Sequence, residues 1–308
     1  MYAEFYGLKE LPFALTPDPR FTYFTRSQME VMANLHYGIQ TGKGLIVVTG
    51  EVGTGKTTIL RWMMQRLDRT VLVAYIFNPR LSVTEFYQHL ATLLDLQTWE
   101  TKSELLVALG QTLESRHSRG LRTVLVIDEA QGLSPSLLEE IRLLSNFESD
   151  SAKHLQIVLT GQPEMRDVLN NPDLRQLKQR IALRCVLMPL PTVEETDRYI
   201  TSRLLVSGAT ETGIFSAEAI DYIYRCSEGI PRNINNLCDN ALLAGYAAGD
   251  KIVDRWIIEE VADTLDMVPG TDYRLPVGEE RELAAGIFSD TNRAELWATG
   301  IGNCESTN

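Results

Sequence analysis

The sequence lacks the features that mark a secreted, membrane-spanning or metal-rich protein. No apolar run approaches the ~20 residues that a membrane-spanning helix needs, and no basic segment followed by an apolar one opens the chain. The four cysteines show no C-x-x-C spacing, and the four histidines match no metal-ligand pattern. We therefore expect a reduced, cytoplasmic protein, with any contact to the inner membrane made through protein partners.

An excess of positive charge is also missing. The 308 residues include 29 Lys or Arg against 41 Asp or Glu, a net charge of −12. This balance disfavours a protein that coats DNA through bulk charge, although it leaves room for a local basic patch. With 44% hydrophobic and 23% charged residues, the composition is that of a globular protein. The length allows one large or two modest domains.

A glycine-rich stretch between an apolar run and an amphipathic segment organises the chain. Residues 45–48 are typical of a buried parallel strand, and the apolar residues of 59–67 share one helical face. A G-x-x-x-x-G-K-T pattern between a strand and a helix indicates a phosphate-binding loop. Its glycines let backbone N–H groups approach phosphate oxygens, and the helix N-terminus adds partial positive charge. The residues of this loop are Gly50, Glu51, Val52, Gly53, Thr54, Gly55, Lys56, Thr57 and Thr58.

Two residues of the loop and two acids further along predict a nucleotide and metal site. Lys56 is placed to reach the β- and γ-phosphates of ATP, and the Thr57 hydroxyl to ligate Mg²⁺. Asp128 ends the buried strand 123–127, where open α/β sheets place their ligands, and it is the natural outer partner of that Mg²⁺. Glu129 follows directly, and its carboxylate can orient and polarise the attacking water.

Strands and helices alternate as far as residue 191. Apolar strands are predicted at 45–48, 71–76, 123–127, 155–160 and 185–188. Because each is apolar throughout, they indicate a parallel sheet covered by helices on both faces. Helix starts are predicted from capping signals at Ser27 with Glu30, Ser82 with Glu85, and Ser134 with Pro135.

Three further segments flank this α/β domain, which we place at residues 27–191. Residues 1–26, rich in aromatic rings and proline, cannot form a long helix, and their rings either pack on the body or wall the adenine pocket. Residues 192–267 show only helix signals and are expected to form a small all-α lid domain. Residues 268–308 contain three Arg against seven Asp or Glu and are expected to be an acidic, flexible tail.

Polar residues after the fourth strand and in the helical region complete the predicted site. Thr160 and Gln162 lie at the tip of a strand expected next to the phosphate loop; either could contact the γ-phosphate or the attacking water, or only form a turn. Arg175 and Arg180 could serve a neighbouring subunit's γ-phosphate, with Arg180 preferred, or only pair with surface acids. Arg232, near the start of a predicted helix, could cover the nucleotide and link the lid angle to it.

These motifs together resemble the AAA+ ATPases. More narrowly, they resemble the general secretion pathway protein A (ExeA-like) family, with the related ATPases of exosortase and exopolysaccharide loci. The resemblance covers about residues 1–265. The matching segments are Tyr2–Leu8, Pro12-Phe13, Gly50–Thr58, Ile127–Gln131, Arg142–Glu148, Gly161–Glu164, Leu174–Ile181 and Gly229–Asn235.

The resemblance implies ATP hydrolysis with Mg²⁺ in a ring or other oligomer. It implies a P-loop fold with a five-stranded parallel sheet between helices, in which the Asp128 and Thr160 strands flank the phosphate loop. Gln162 or Thr160 is implied as the first sensor and Arg232 as the second. An arginine finger acting in trans is also implied, with Arg180, or else Arg175, in that role.

Three functions stay open at this stage. In the leading one, the oligomer assembles or energises a secretion or surface-polysaccharide system through protein partners, some of them membrane-bound. The second is a DNA-associated regulator of the transposition type, which the negative charge disfavours. The third is a slow ATP-dependent switch that recruits partners. The secretion protein itself continues into a transmembrane helix and a peptidoglycan-binding region, so for this sequence we expect a stand-alone cytoplasmic ATPase.

Overall fold

A five-stranded parallel sheet lies at the centre of residues 45–187. The structure is a computed structural model and describes residues 1–14, 18–77, 80–96, 99–149 and 152–270. The strands are β1 (Leu45–Gly50), β2 (Val71–Ile76), β3 (Arg122–Ile127), β4 (Gln156–Gly161) and β5 (Ile181–Leu187). Each neighbouring pair is parallel, as the uniformly apolar strand sequences predict.

The order of the strands across the sheet is β2-β3-β4-β1-β5. β4 therefore lies next to β1, as expected for the strand that carries Thr160. The expectation that the Asp128 strand also flanks the phosphate loop is wrong, because β3 pairs with β2 and β4, and the other neighbour of β1 is β5. The apolar pattern does not determine the strand order, because buried parallel strands are apolar on both faces at any position in the sheet.

Helices cover both faces of the sheet. The α-helices up to residue 179 are α1 (Tyr2–Phe5), which packs on the helical region described below, and α2 (Arg26–Thr41), α3 (Lys56–Met64), α4 (Val83–Leu93), α5 (Lys102–Ser118), α6 (Pro135–Leu144), α7 (Met165–Asn170) and α8 (Arg175–Gln179). Successive strand residues point to opposite faces. Ile46 and Val48 thus pack with α2 and α3, whereas Leu45 and Val47 belong to the cluster that includes residues of α4 to α8.

The start of α2 differs from the predicted one. The N-cap is Thr25, which forms a capping box with Gln28, and not Ser27. The Ser27 hydroxyl instead donates to the Val186 carbonyl at 3.4 Å and accepts from the Met188 N–H at 3.2 Å. Because β5 is an edge strand, these backbone groups have no strand partner, and the hydroxyl satisfies them. The predicted caps Ser82 and Ser134 are confirmed.

β5 also begins four residues before its predicted start. Its residues alternate between covered and exposed positions from Ile181 onward, because an edge strand is only partly covered by helices. Ala182 and Arg184 are among the exposed residues. A search for uniformly apolar runs therefore finds only the C-terminal half of the strand.

Four helices after the sheet surround a separate buried cluster. They are α9 (Val193–Val206), α10 (Ala217–Ser227), α11 (Pro231–Ala248) and α12 (Arg255–Thr264). The helical character predicted for this region is confirmed, whereas its movement as a lid stays a prediction. Tyr2, Tyr6 and Phe13 of the N-terminal segment join this cluster, and a role of that segment in the adenine pocket stays a prediction too.

Residues 1–268 form one compact unit. Beyond it the structure describes only Pro269 and Gly270, so the predicted acidic tail lies almost wholly outside the described residues. The Asn78-Pro79 pair, predicted to end the second strand, also lies outside them. In the part of the chain that is described, none of the helices combines the length and apolarity needed to cross a bilayer.

Candidate nucleotide site

The loop between β1 and α3 is shaped by glycines. Gly53 and Gly55 have φ angles of 87° and 99°, a left-handed conformation that favours glycine. At Gly50, a Cβ would lie only 2.6 Å from the carbonyl oxygen of Leu187 on β5. The loop leads into α3 at Lys56, and the first N–H groups of a helix lack intrahelical partners and favour anions.

Lys56 is buried against the loop. Its Nζ donates to the carbonyl oxygens of Gly50 at 2.7 Å and Glu51 at 3.0 Å. Burial lowers the pKa of Lys56, while the carboxylates of Glu129 and Asp128 act in the opposite direction. The ammonium group is therefore held on the loop and interacts electrostatically with both acids. A phosphate would be a stronger partner for it than neutral carbonyl groups are.

Asp128 is fully buried, and its carboxylate accepts four hydrogen bonds. Oδ2 accepts from the Thr57 hydroxyl at 2.8 Å and from the Tyr75 hydroxyl at 3.0 Å. Oδ1 accepts from the backbone N–H of Glu129 at 3.0 Å and from the Thr160 hydroxyl. These four donors satisfy the buried carboxylate and hold it in one orientation.

The pair of Thr57 and Asp128 fits a Mg²⁺ site that is shared with phosphate. Mg²⁺ is commonly held by one or two carboxylates together with substrate phosphates and waters. A hydroxyl and a carboxylate oxygen 2.8 Å apart, next to a phosphate-binding loop, supply that kind of donor set. Within the described ranges, no group of three or more His, Cys, Asp or Glu side chains could hold a metal alone.

Glu129 lies beside Lys56 in an unusual backbone conformation. Its φ of 55° and ψ of 40° are left-handed, which is uncommon for a residue other than glycine. Its Oε2 accepts from Gln131 Nε2 at 2.6 Å and from Gln162 Nε2 at 3.3 Å. Among the carboxylates that oppose the lowering of the Lys56 pKa, Glu129 has the largest effect. Glu129 is therefore the acid that interacts most strongly with the Lys56 ammonium group.

The helical region places Arg232 directly on the loop. The backbone N–H of Arg232 donates to the Gly53 carbonyl at 3.2 Å. A Cβ on Gly53 would lie 2.7 Å from the Arg232 Cβ and 3.0 Å from the Ile230 Cγ2. The start of α11 thus packs on the loop only because residue 53 has no side chain. Of the two predicted first sensors, Thr160 contacts Asp128, and Gln162 contacts Glu129.

Arg175 and Arg180 are not brought to this site. Arg180 precedes β5, whose first residue Ile181 pairs with Leu45 at the start of β1. The phosphate loop follows the other end of β1, roughly 17 Å away at ~3.3 Å per residue. Arg180 donates to the Ser145 hydroxyl at 2.9 Å, and Arg175 is exposed. A role for either arginine at a neighbouring subunit's site stays a prediction.

Sequence reasoning missed two residues that contact the acids. Tyr75 lies one position before the end of β2 and is the one residue with a polar group in an otherwise apolar strand. Because ligands bind at that edge of a parallel sheet, its hydroxyl could have been predicted to lie near the site. Gln131 lies two residues after Glu129 in a short 3₁₀ turn. Its contact with Gln162 on the next loop depends on the strand order, and the local pattern contains no sign of it.

Comparison with known proteins identifies the family. The AAA domain family matches residues 39–169, a stretch that includes the phosphate loop and both acids. The chain belongs to the AAA+ family. Within that family it is related to general secretion pathway protein A of Aeromonas hydrophila, with 42% identity over 256 residues. The match covers 82% of this AAA+ chain but spans less than half, 46%, of that relative. The resemblance predicted from the motifs is thereby confirmed.

Solved structures show the same AAA+ fold. Cdc6p from Pyrobaculum aerophilum is 19% identical, with a TM-score of 0.63 over 85% of this chain and 72% of that one. The structure of Drosophila ORC bound to DNA is 20% identical, with a TM-score of 0.63 over 83% of this chain and 64% of that one. The Thermotoga maritima RuvB Holliday junction branch migration motor is 19% identical, with a TM-score of 0.51 over 77% of this chain and 69% of that one. At these identities the likeness shows the fold alone.

Proposed function

We propose that this AAA+ chain binds ATP and Mg²⁺ at residues 50–58 and hydrolyses ATP, releasing the γ-phosphate. The observation that carries the proposal is the hydrogen-bonded pair of Thr57 and Asp128 next to Glu129, together with Lys56 held on the phosphate loop. The loop N–H groups and Lys56 would hold the phosphates, and Thr57 and Asp128 would hold the metal. When bound, Mg²⁺ neutralises charge that develops on the transferred phosphoryl group.

The remaining roles follow from which atoms are still available. Glu129 is the proposed residue that orients the attacking water, because it directly follows Asp128 and its carboxylate interacts electrostatically with Lys56 on the loop. The Thr160 hydroxyl is engaged by Asp128, which supports Gln162 rather than Thr160 as the first sensor. The packing of α11 on Gly53 supports Arg232 as the second sensor, because a change at the loop would reach the helical region through that contact.

We further propose that the chain works as an oligomer. Arg180, or else Arg175, would act on the nucleotide of the adjacent subunit. This is supported by the distance of Arg180 from its own loop, by the exposure of Arg175, and by the gain of ~10³–10⁵ in rate that such an arginine supplies in other phosphate-loop enzymes. A ring or another closed assembly would place one subunit's α8 near the next subunit's site.

The proposed role is to assemble or energise a secretion or surface-polysaccharide system. The support is the 42% identity with general secretion pathway protein A. We place the protein in the cytoplasm, and at the inner membrane only through its partners. Because the chain spans less than half of that relative, the partners and the process that it serves are part of the proposal.

Two substitutions test the chemistry. Lys56→Ala should abolish binding of a fluorescent ATP analogue, since the loop loses its only lysine. Glu129→Gln should keep the dissociation constant within about threefold and reduce phosphate release by ~10²–10⁴. Glu218→Gln, an exposed change on α10, is the matched control. Normal hydrolysis by Glu129→Gln would remove the proposed role of that carboxylate.

The same assay separates the alternative functions. Strong stimulation of turnover by duplex DNA would favour the DNA-associated regulator. Turnover well below ~0.01 per second at high protein concentration, the range of slow nucleotide switches, would favour the switch. Turnover that is insensitive to DNA and rises with protein concentration is expected for the proposed oligomeric ATPase.

A further inference from the structure

Gln131 joins the proposed water-orienting carboxylate to the tip of β4. Its Nε2 donates to Glu129 Oε2 at 2.6 Å, and its Oε1 accepts the backbone N–H of Gln162 at 3.1 Å. The Gln162 side chain donates to the same Glu129 oxygen at 3.3 Å. A carboxylate only accepts and a backbone N–H only donates, so these partners fix which end of the Gln131 amide points where. The three residues form a closed set of hydrogen bonds.

The fold leaves space for this amide at Gly161. A Cβ at Gly161 would lie 2.9 Å from Gln131 Oε1 and 3.3 Å from the Met165 Cβ. Gly161 is not among the glycines with positive φ, so its backbone conformation does not require glycine. The close approach of Gln131 therefore gives a physical reason for glycine at the end of β4.

Gln131 also contacts Glu129, the residue two positions earlier, whose backbone conformation is strained. Glu129 is left-handed, a conformation that raises the energy of a non-glycine residue by roughly 1–3 kcal/mol. The 3₁₀ turn Ala130–Gly132 follows at once, and the side chain of its middle residue reaches back to the Glu129 carboxylate. A freely rotating Glu side chain would lose up to ~2 kcal/mol of rotamer entropy when it is ordered. The Gln131 and Gln162 amides order this one through their hydrogen bonds to Oε2.

We propose that Gln131 is a positioning residue that holds Glu129 for hydrolysis and couples it to the tip of β4; this rests on the proposed ATPase function. Gln131 and Gln162 occupy Oε2, and no described residue donates to Oε1. Oε1 is thus left to accept a hydrogen bond from the attacking water. A shift of the β4 tip would move the Gln162 N–H, the Gln131 amide and the carboxylate together.

The first experiment separates positioning from binding. Gln131→Leu keeps the approximate volume and removes both amide hydrogen bonds. We expect kcat to fall ~10–100-fold, the size of effect seen for residues that orient a metal-binding side chain. The affinity for a fluorescent ATP analogue and the unfolding midpoint should stay within error of wild type. Gln131→Asn, which shortens the amide, and Gly161→Ala, which takes its space, should lower kcat in the same direction. Gln111→Leu on the exposed face of α5 is the control.

A double variant shows whether Gln131 acts through Glu129. If it does, Glu129→Gln with Gln131→Leu should be no slower than Glu129→Gln alone, because the effects of residues acting as one unit are not additive. A double variant slower by the full single-variant factor, or a wild-type kcat in Gln131→Leu, overturns the positioning role. Absence of hydrolysis by the wild-type chain is a different result, since it overturns the ATPase function together with this role.

Discussion

At the residue scale, the proposed site distinguishes two adjacent acids by the donors that reach each of them. Asp128 is buried, and its hydrogen bonds come from three side chains on neighbouring elements and from the backbone N–H of Glu129. Such a carboxylate is suited to hold a cation in a fixed place. Glu129 is partly exposed and has one oxygen without a donor among the described residues. The two acids therefore suit two kinds of chemistry at one strand end.

Tyr75 is expected to fix the metal-binding orientation of Asp128. Burial and the Asp128 carboxylate raise the pKa of Tyr75, so its hydroxyl stays a donor at every working pH. Tyr75→Phe removes one of four donors and leaves the ring. We expect the Mg²⁺ concentration needed for binding of a fluorescent ATP analogue to rise ~10-fold, and the free energy of unfolding to fall by about 1 kcal/mol. Tyr37→Phe, on a side chain 46% exposed, is the control, and an unchanged Mg²⁺ requirement would contradict this role.

The site residues that could be predicted are those whose partners are close in sequence. The roles of Lys56 and Thr57 could be predicted because a strand, a glycine-rich loop and a helix follow one another in the sequence. Tyr75 and Asp128 are 53 residues apart, and Gln131 and Gln162 are 31 apart. These contacts depend on β3 lying between β2 and β4, and the apolar strands do not encode that order.

At the element scale, the start of α11 and the phosphate loop are one packing unit. The contact consists of a backbone hydrogen bond from Arg232 to Gly53 and the close approach of two side chains. Gly229 permits it, because a Cβ there would overlap the Leu190 carbonyl. A change in the angle of the helical region therefore has to move the loop or break this contact.

Gly53→Ala tests that contact. Its Cβ would meet Arg232 at 2.7 Å and Ile230 at 3.0 Å, at a φ of +87°. Gly120→Ala is the matched control, because Gly120 has a φ of +72° and nothing within 4 Å of its Cβ position. Both should lose ~1–2 kcal/mol of stability from left-handed strain. Only Gly53→Ala should lose more and also weaken binding of the ATP analogue, several-fold; equal effects of the two changes would show that the contact is not needed.

The boundaries of the elements were predictable wherever a cap acts locally. Ser82 and Ser134 start helices as their sequence patterns indicate. Ser27 matched the same pattern but serves the edge of β5, because Thr25 with Gln28 supplies a complete capping box two residues earlier. Two adjacent capping signals compete, and tertiary contacts decide which hydroxyl is left for another use.

At the scale of the whole molecule, the N-terminal segment ties the helical cluster to the sheet. Residues 1–14 place their rings in the cluster of α9 to α12, and α2, which starts at residue 26, packs on β1 and β5. Arg203 on α9 lies at the centre of this tie and is only 8% exposed. Its Nε donates to the Pro12 carbonyl at 2.6 Å, and its guanidinium lies 5.0 Å from the centre of the Phe21 ring.

Arg203→Met should therefore loosen the N-terminal segment from residues 193–264. The change keeps an apolar stem and leaves the Pro12 carbonyl without its donor, a loss of roughly 1–3 kcal/mol in addition to about 1 kcal/mol from the aromatic contact. Since residues 1–268 are one compact unit, denaturant unfolding should stay a single transition with a lower midpoint, and proteolysis within residues 1–25 should accelerate. Arg198→Met on the same helix, with a side chain 67% exposed, should stay within about 0.5 kcal/mol of wild type. A wild-type midpoint and cleavage rate for Arg203→Met would mean that the aromatic rings hold the segment without the cation.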